Sequence, residues 1–438
     1  MSAIAKVLLE RGHEVSGSDL KPSHATVSLE AMGARVNIGH DGSAVQGADV
    51  VVTSSAIPRS NVEVARAEEL GIPVVGRGHA LAAVLADLRS VVVAGTHGKT
   101  TTTSMIVSVL SGAGLDPTYL VGGGLNDVGT NARFGRGPLA VAESDESDGS
   151  FLLLRPHVAV VTNIEADHLD YWGSLEAVRD GFRRFLTGVR PDGAVIVPVE
   201  EPELAGHVGD RRVITFGPGG DVSSEDVTLA YEGARFTLVA GERRAPVTLR
   251  VAGRHNVSNA LACAAACLEA GVSLVEVARY LGRFRGVERR FQVRGRARGV
   301  TVIDDYAHHP TEVRANLETA RAGPWERLVA VFQPHRYSRT AAFAAEFGSS
   351  FECADRVVVT DVYGAGEQPV PGVSGKLVAD AVCEALPGRP VAYLPRRAEV
   401  LAYLEACVRP GDAVLTLGAG DISALGEEVL VALRGEGE

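Results

Sequence analysis

The chain is 438 residues long, enough for two or three domains each with its own core, and its net charge of −11 argues against a general nucleic-acid or anionic-membrane surface. Hydrophobic content of 46% with 5% aromatic residues and 50 glycines fits an α/β enzyme rich in tight turns. No apolar stretch approaches the roughly 18 residues of a membrane span and no signal-peptide pattern opens the chain, so a cytoplasmic protein without a membrane partner is expected.

Three blocks of alternating strand and helix signals follow in chain order. In residues 1–87, HEVSGSD, ARVNIG, ADVVVTSSA and IPVVG read as short strands between helices such as SHATVSLEAMG and NVEVARAEEL. That alternation predicts a parallel sheet with crossover helices. Residues 88–293 open on the β-branched run SVVVAG and include a more β-rich stretch, DVTLAYEGARFTLVAGERRAPVTLRV. Residues 294–438 repeat the pattern through TVIDDYAHHP, RLVAVFQPHR, RVVVTDVYGAGE, RPVAYLP and DAVLTLGAG. None of the cysteines forms a CxxC pair. Cys263 and Cys267 fall one helical turn apart in ALACAAACLEA, which reads as a buried helix face with reduced thiols rather than a metal site.

The sharpest signal is VVVAGTHGKTTTTSM, residues 91–105. A strand delivers the chain to a glycine-rich turn, and a helix begins at the threonines. Backbone N–H groups there and the helix N-terminus favour phosphate oxygens. Gly95 and Gly98 supply the turn, with Thr96 and His97 between them. Lys99 can reach the β/γ-phosphates, and Thr100 or Thr101 can hold Mg²⁺. A strict Walker A motif would have a glycine at position 93, which is Val93.

Next, AESDESDGSF places Glu143, Asp145, Glu146 and Asp148 after an apolar strand, where carboxylates can hold Mg²⁺ or form a solvated acidic turn. VVTNIEADHLDYWG adds Asn163, Glu165, Asp167, His168 and Asp170; His168 reads either as a cap or as a metal ligand. In GRHNVSNALAC, Asn256 and Asn259 project from one face of a helix start, and capping explains them by default. FRGVERRFQ carries Arg289 and Arg290, a solvated basic pair or a fork for phosphate. FQPHRYSRT sets His335, Arg336 and Arg339 at a strand end, where convergent arginines can orient a carboxylate.

GTHGKTTT, TNIEADHLDYWG, HNVSNALA and DDYAHHP, in this order and over nearly the whole chain, resemble the Mur ligase family, which shares GTxGKT[ST] with folylpolyglutamate synthetases. The resemblance implies an α/β protein of three domains: a Rossmann-like UDP-sugar domain, a central P-loop ATPase domain and a Rossmann-like C-terminal domain. It assigns Thr100, Glu143 and His168 to magnesium, Asn256 and Asn259 to adenine, Arg290 to the γ-phosphate and Asp305 to the ATP ribose. Tyr306, His308 and His309 then line the cleft. ESDESDGSFL and DYAHHP look like the alanine-adding branch. Phe182 also stands near the position where sister ligases carry a carbamylated lysine. ATP, Mg²⁺, UDP-N-acetylmuramate and L-alanine are therefore the expected cofactors and substrates, with Lys99, Glu143, His168, Arg290, His308, Arg336 and Arg339 as the catalytic set. A tripeptide-recycling ligase, a folylpolyglutamate-type ligase and a nucleotide-binding protein without ligase activity are the alternatives. The family opens with a strand and a GxGGxGM turn; Met1 matches the last residue of that turn, so a longer native N-terminus is expected. Ser16–Asp19 and Ser54–Pro58 are the remaining candidate nucleotide-sugar contacts.

Overall fold

The computed structural model describes residues 1–54, 56–124 and 129–435; Ser55, one of the candidate sugar-nucleotide contacts, lies outside them. Its contacts divide the chain into two units. One is Met1–Glu225 with Thr237–Val247 and Ser258–Phe284; the other is Asp226–Phe236 with Thr248–Val257 and Arg285–Glu438.

In the first 87 residues, β1 (Ser16–Asp19) pairs in parallel with β2 (Arg35–Ile38), and β3 (Val51–Thr53) with β4 (Val74–Gly76). The strands alternate with helices, as their sequence pattern requires. The four strands form two parallel pairs, with no ladder joining β1 to β3 among the described residues.

The central sheet holds β5 (Arg89–Ala94), β6 (Thr118–Leu120), β7 (Ala132–Arg133), β8 (Leu139–Glu143), β9 (Val158–Val161), β10 (Ala194–Pro198), β11 (Arg212–Phe216), β12 (Val222–Ala230), β13 (Gly233–Ala240) and β14 (Arg243–Leu249). Their spatial order is β14-β13-β12-β11-β10-β9-β5-β8-β6-β7. β5 pairs in parallel with both β8 and β9, neither of which is the next strand in the chain. The chain thus leaves β5 toward β6 and β8 on one side and crosses to β9 and β10 on the other. Such a reversal opens a crevice beyond the carboxyl ends of the strands. A strand flanked on both edges and covered on both faces needs an unbroken apolar run, and Val91–Ala94 is buried throughout.

The helix Leu175–Thr187 turns Val178, Phe182, Phe185 and Leu186 into the core, an i, i+4, i+7, i+8 stripe. The Phe182 ring lies 5.3 Å from that of Phe151, which is 5.2 Å from Phe185 and edge-on to Trp172 at 6.2 Å. Phe182 is therefore a dry packing residue. Phe182→Ala is expected to cost about 3–5 kcal/mol by cavity formation, read as a lower urea midpoint at unchanged slope. A midpoint shift of a few tenths of a kcal/mol overturns this packing role.

The second large sheet contains β15 (Gln292–Ala297), β16 (Val300–Asp305), β17 (Arg327–Phe332), β18 (Arg356–Val359), β19 (Val391–Tyr393) and β20 (Asp412–Leu417), in the order β15-β16-β20-β17-β18-β19. All neighbours are parallel except the edge strand β15. Alternating residues feed a core on each face, Ile303, Leu328 and Phe332 on one and Val302, Val329 and Val331 on the other. Cys263 and Cys267 lie buried along the helix Arg254–Glu269 with their sulfurs 3.9 Å apart, as a packed helix face. No helix among the described residues is long and apolar enough to cross a membrane.

Candidate active site

The loop after β5 is fastened to the residues after β9. Thr96 N–H donates to Asn163 O at 3.0 Å, His97 N–H to Asn163 Oδ1 at 2.9 Å, and Thr162 Oγ1 to His97 O at 2.6 Å. Glu165 N–H adds a bond to Thr96 Oγ1 at 2.9 Å. Gly95 (φ +132°) and Gly98 (φ +80°) sit in backbone conformations that L side chains rarely adopt, and neither has room for a side chain. A Cβ on Gly98 would fall 2.4 Å from Asn259 Oδ1. The helix Lys99–Gly112 starts directly after, with its first N–H groups at the mouth of the loop.

Lys99 is folded back over this loop. Its Nζ donates to Gly95 O (2.6 Å), Thr96 O (3.1 Å) and both carboxylate oxygens of Glu146 (2.9 Å each). Burial opposes its charge, but Glu146, Asp145 and Glu143 more than offset that, and its pKa is raised above the usual lysine value. Thr100 Oγ1 donates to Glu143 Oε1 at 2.9 Å, and Gly122 N–H holds the other oxygen at 2.8 Å. Thr101 is buried, so Thr100 is the threonine set beside Glu143. Carboxylate and hydroxyl oxygens at the end of parallel strands suit a hard divalent cation. His168 begins a short helix with φ +54°, its Nε2 lying 3.9 Å from Glu146 Oε1 and 3.6 Å from Asp167 Oδ2. Asp145, Glu146 and His168 bring one ligand atom each within 4.8 Å of one another.

In the second unit the groups at the ends of β16 and β17 form a chain of contacts. The guanidinium carbons of Arg289 and Arg290 lie 5.0 and 5.1 Å from the centroid of the Tyr306 ring, a cation–π arrangement. Tyr306 meets His308 edge-on at 5.4 Å, His308 meets His335 at 5.6 Å, and His335 stacks on Tyr363 at 5.8 Å. Arg339 Nη1 is 3.4 Å from His335 Nδ1, and Arg336 Nη1 is 4.0 Å from Glu367 Oε1. Arg289 (φ +58°) and Arg336 (φ +67°) share with His168 the left-handed side of backbone space.

A model of the Mur ligase middle domain matches residues 93–267, one of the Mur ligase glutamate ligase domain matches 289–420, and one described as the Mur ligase family catalytic domain matches 1–89. The UDP-N-acetylmuramate–L-alanine ligase of Rubrobacter xylanophilus is 51% identical over 99% of this chain and 97% of its own. The chain belongs to the Mur ligase family. Among solved structures, the UDP-N-acetylmuramate–alanine ligase of Thermotoga maritima matches with TM-score 0.82 and 31% identity, covering 98% of this chain and 95% of that one. A murein peptide ligase of Psychrobacter arcticus matches at TM-score 0.72 and 25% identity, over 99% of this chain and 96% of that one.

In this Mur ligase, Gly95, Thr96, His97, Gly98, Lys99, Thr100 and Glu143 gather at the end of β5, and Asn259 lies against the loop. Arg290, His308, Arg336 and Arg339 lie in the second unit. Asn256, near the start of the helix Arg254–Glu269, donates from Nδ2 to Ala252 O at 2.7 Å, just before that helix. Asp305 is buried and engaged: its carboxylate accepts from Phe291 N (2.6 Å), Ala307 N (2.7 Å) and Asn316 Nδ2 (2.8 Å). Burial pushes its carboxyl up to about 6, against the pull of Arg290 and the two backbone donors. These bonds clasp the turn after β16. Two residues escaped the sequence reading. Glu146 was one of four acids with nothing to single it out as the partner of Lys99. Glu312 stands four residues after His308, a helical spacing that did signal a pair.

Proposed function

We propose that this chain joins L-alanine to the lactyl carboxylate of UDP-N-acetylmuramate, with ATP converted to ADP and phosphate through an acyl phosphate, as a cytoplasmic step of peptidoglycan precursor synthesis. The observation that supports the phosphate chemistry is the Gly95–Lys99 loop, fastened by Asn163 and Thr162 at a helix N-terminus. The alanine-adding branch is favoured by 51% identity over nearly the whole length to a relative of that name.

Positioning and charge neutralisation are what phosphoryl transfer asks of a protein. Lys99 exchanges the Glu146 carboxylate for a β/γ-phosphate oxygen. Thr100 and Glu143, which lie together, and His168 would hold Mg²⁺, which would supply further positive charge for the phosphates. Arg290 offers a fixed fork for the transferring phosphoryl group, and Arg336 and Arg339 orient the amino acid's carboxylate. With UDP-N-acetylmuramate, ATP and magnesium present, L-alanine is expected to stimulate phosphate release. Stimulation by glutamate or a tripeptide alone, or by none of them, overturns the assignment.

A further inference from the structure

The helix Ser2–Glu10 buries Ile4 and Val7 in one core with Val92 of β5, Leu120 of β6 and Ala132 of β7. Its polar side is fastened to the two ends of β7. Lys6 Nζ donates to Thr130 Oγ1 at 2.5 Å, just before the strand, and Phe134 N–H, just after it, donates to Glu10 Oε2 at 2.5 Å. Lys6 and Glu10 are four residues apart and so project from one side of the helix. Each bond spans 124 positions of sequence. The guanidinium of Arg11 lies 5.3 Å from the centroid of the Phe134 ring and closes the far end of the clasp. β7 is two residues long and stands at the edge of the sheet, so contacts from outside decide where it sits.

β7 in turn positions a backbone donor. It pairs antiparallel with β6 through Leu120 and Ala132 and through Tyr119 and Arg133, and Val121 N–H donates to Asn131 O at 2.8 Å. The next residue, Gly122, donates its N–H to Glu143 Oε2 at 2.8 Å, while Thr100 Oγ1 holds the other oxygen at 2.9 Å. A Cβ on Gly122 would fall 2.8 Å from that same Oε2, so the close approach needs a glycine. A ligating carboxylate whose outer hydrogen bonds are set presents its remaining lone pairs in a fixed direction. Loss of such a partner weakens metal affinity by about 10–100-fold. The geometry points to Lys6 and Glu10 as positioning residues for a divalent cation at Glu143: they fix both ends of β7 and, through the β6–β7 ladder, the Gly122 N–H that aims the carboxylate. Their action is indirect, one ladder removed from the cation. The inference rests on the Thr100–Glu143 cation site of the ligase reading and adds the part of the first 87 residues that sets it.

The test titrates the full chain with Mn²⁺ in the presence of the β,γ-imido analogue of ATP and reads bound manganese by electron paramagnetic resonance, without turnover. Glu10→Ala takes the acceptor from Phe134 N–H, so Mn²⁺ affinity is expected to fall by roughly 3–10-fold, the scale of one net hydrogen bond. Glu10→Gln keeps an amide oxygen for that N–H and should stay within about twofold of the parent. Lys6→Met weakens Mn²⁺ binding in the same direction, and Lys6→Arg recovers part of the loss. Glu10 is exposed, so its replacement leaves the chain folded. Manganese affinity unchanged in Glu10→Ala, whatever its melting temperature, overturns the inference while the cation site stands. Equal losses in Glu10→Ala and Glu10→Gln do the same. If the parent binds no manganese, the cation site fails and the inference with it.

Discussion

Lys99→Ala is expected to lower alanine-dependent ADP release by roughly 10³-fold, the scale of losing a preorganised charge at a transferring phosphoryl group. The same change removes the ammonium that meets both oxygens of Glu146, a residue 2% exposed. Burial already pushes the Glu146 carboxyl up to about 7 against the pull of Lys99, so without the lysine it must take up a proton or stay buried as a charge; breaking such a pair costs about 3–5 kcal/mol, and the variant should also melt earlier. The two effects separate in a second variant. Adding Glu146→Gln to Lys99→Ala replaces the stranded charge with a neutral amide and should recover part of the melting temperature, but no activity. If Lys99→Ala keeps its activity, the loop is not the phosphate site. If Glu146→Gln leaves the melting temperature of Lys99→Ala unchanged, the buried pair is not what held that region together.

Gly95→Ala should abolish activity through geometry alone. A Cβ there would lie 2.1 Å from Thr162 Oγ1 and 2.9 Å from Thr162 N, and Gly95 has φ +132°. Something in the loop or in the strap after β9 must move, although Thr162 and Asn163 are what fix the positions of Thr96 and His97. Stability is expected to fall by about 3 kcal/mol or more, and ATP affinity by at least ~100-fold, measured by denaturation and by calorimetric titration of ATP. Gly114→Ala is the control. It has φ +79° but nothing within 4 Å, so it should cost only about 1 kcal/mol and leave nucleotide binding intact. Equal losses in the two variants would show that backbone strain, not the clash with Thr162, is responsible.

The phosphate loop was legible because its requirements are local: a buried strand, two glycines and a helix start lie within about a dozen residues. The acidic stretch was legible only as a group. Nothing in ESDESD says that Glu143 turns to Thr100 and Gly122 while Glu146 turns to Lys99, because the choice depends on how β8 lies beside β5. Asp305 shows another limit. Its motif suggests a ligand contact but names none of the partners its two oxygens hold within the chain, Asn316, eleven residues on, and two backbone amides brought near by the turn. Strand pairing is equally non-local: the pattern in residues 1–87 predicts four strands and their parallel sense, while which strand pairs with which shows only in the ladders.

His168, Arg289 and Arg336 each hold a positive φ that costs an ordinary side chain about 1–2 kcal/mol relative to glycine. In a lineage adapting to heat, glycine at any of the three would tempt selection with a more stable protein and remove a side chain that has its own partners, Glu146 and Asp167 for His168, Asp304 for Arg289 and Glu367 for Arg336. Wherever such a residue is kept despite that gain, backbone strain is being held for the sake of the side chain, and thermal adaptation then draws on loops and surface elsewhere.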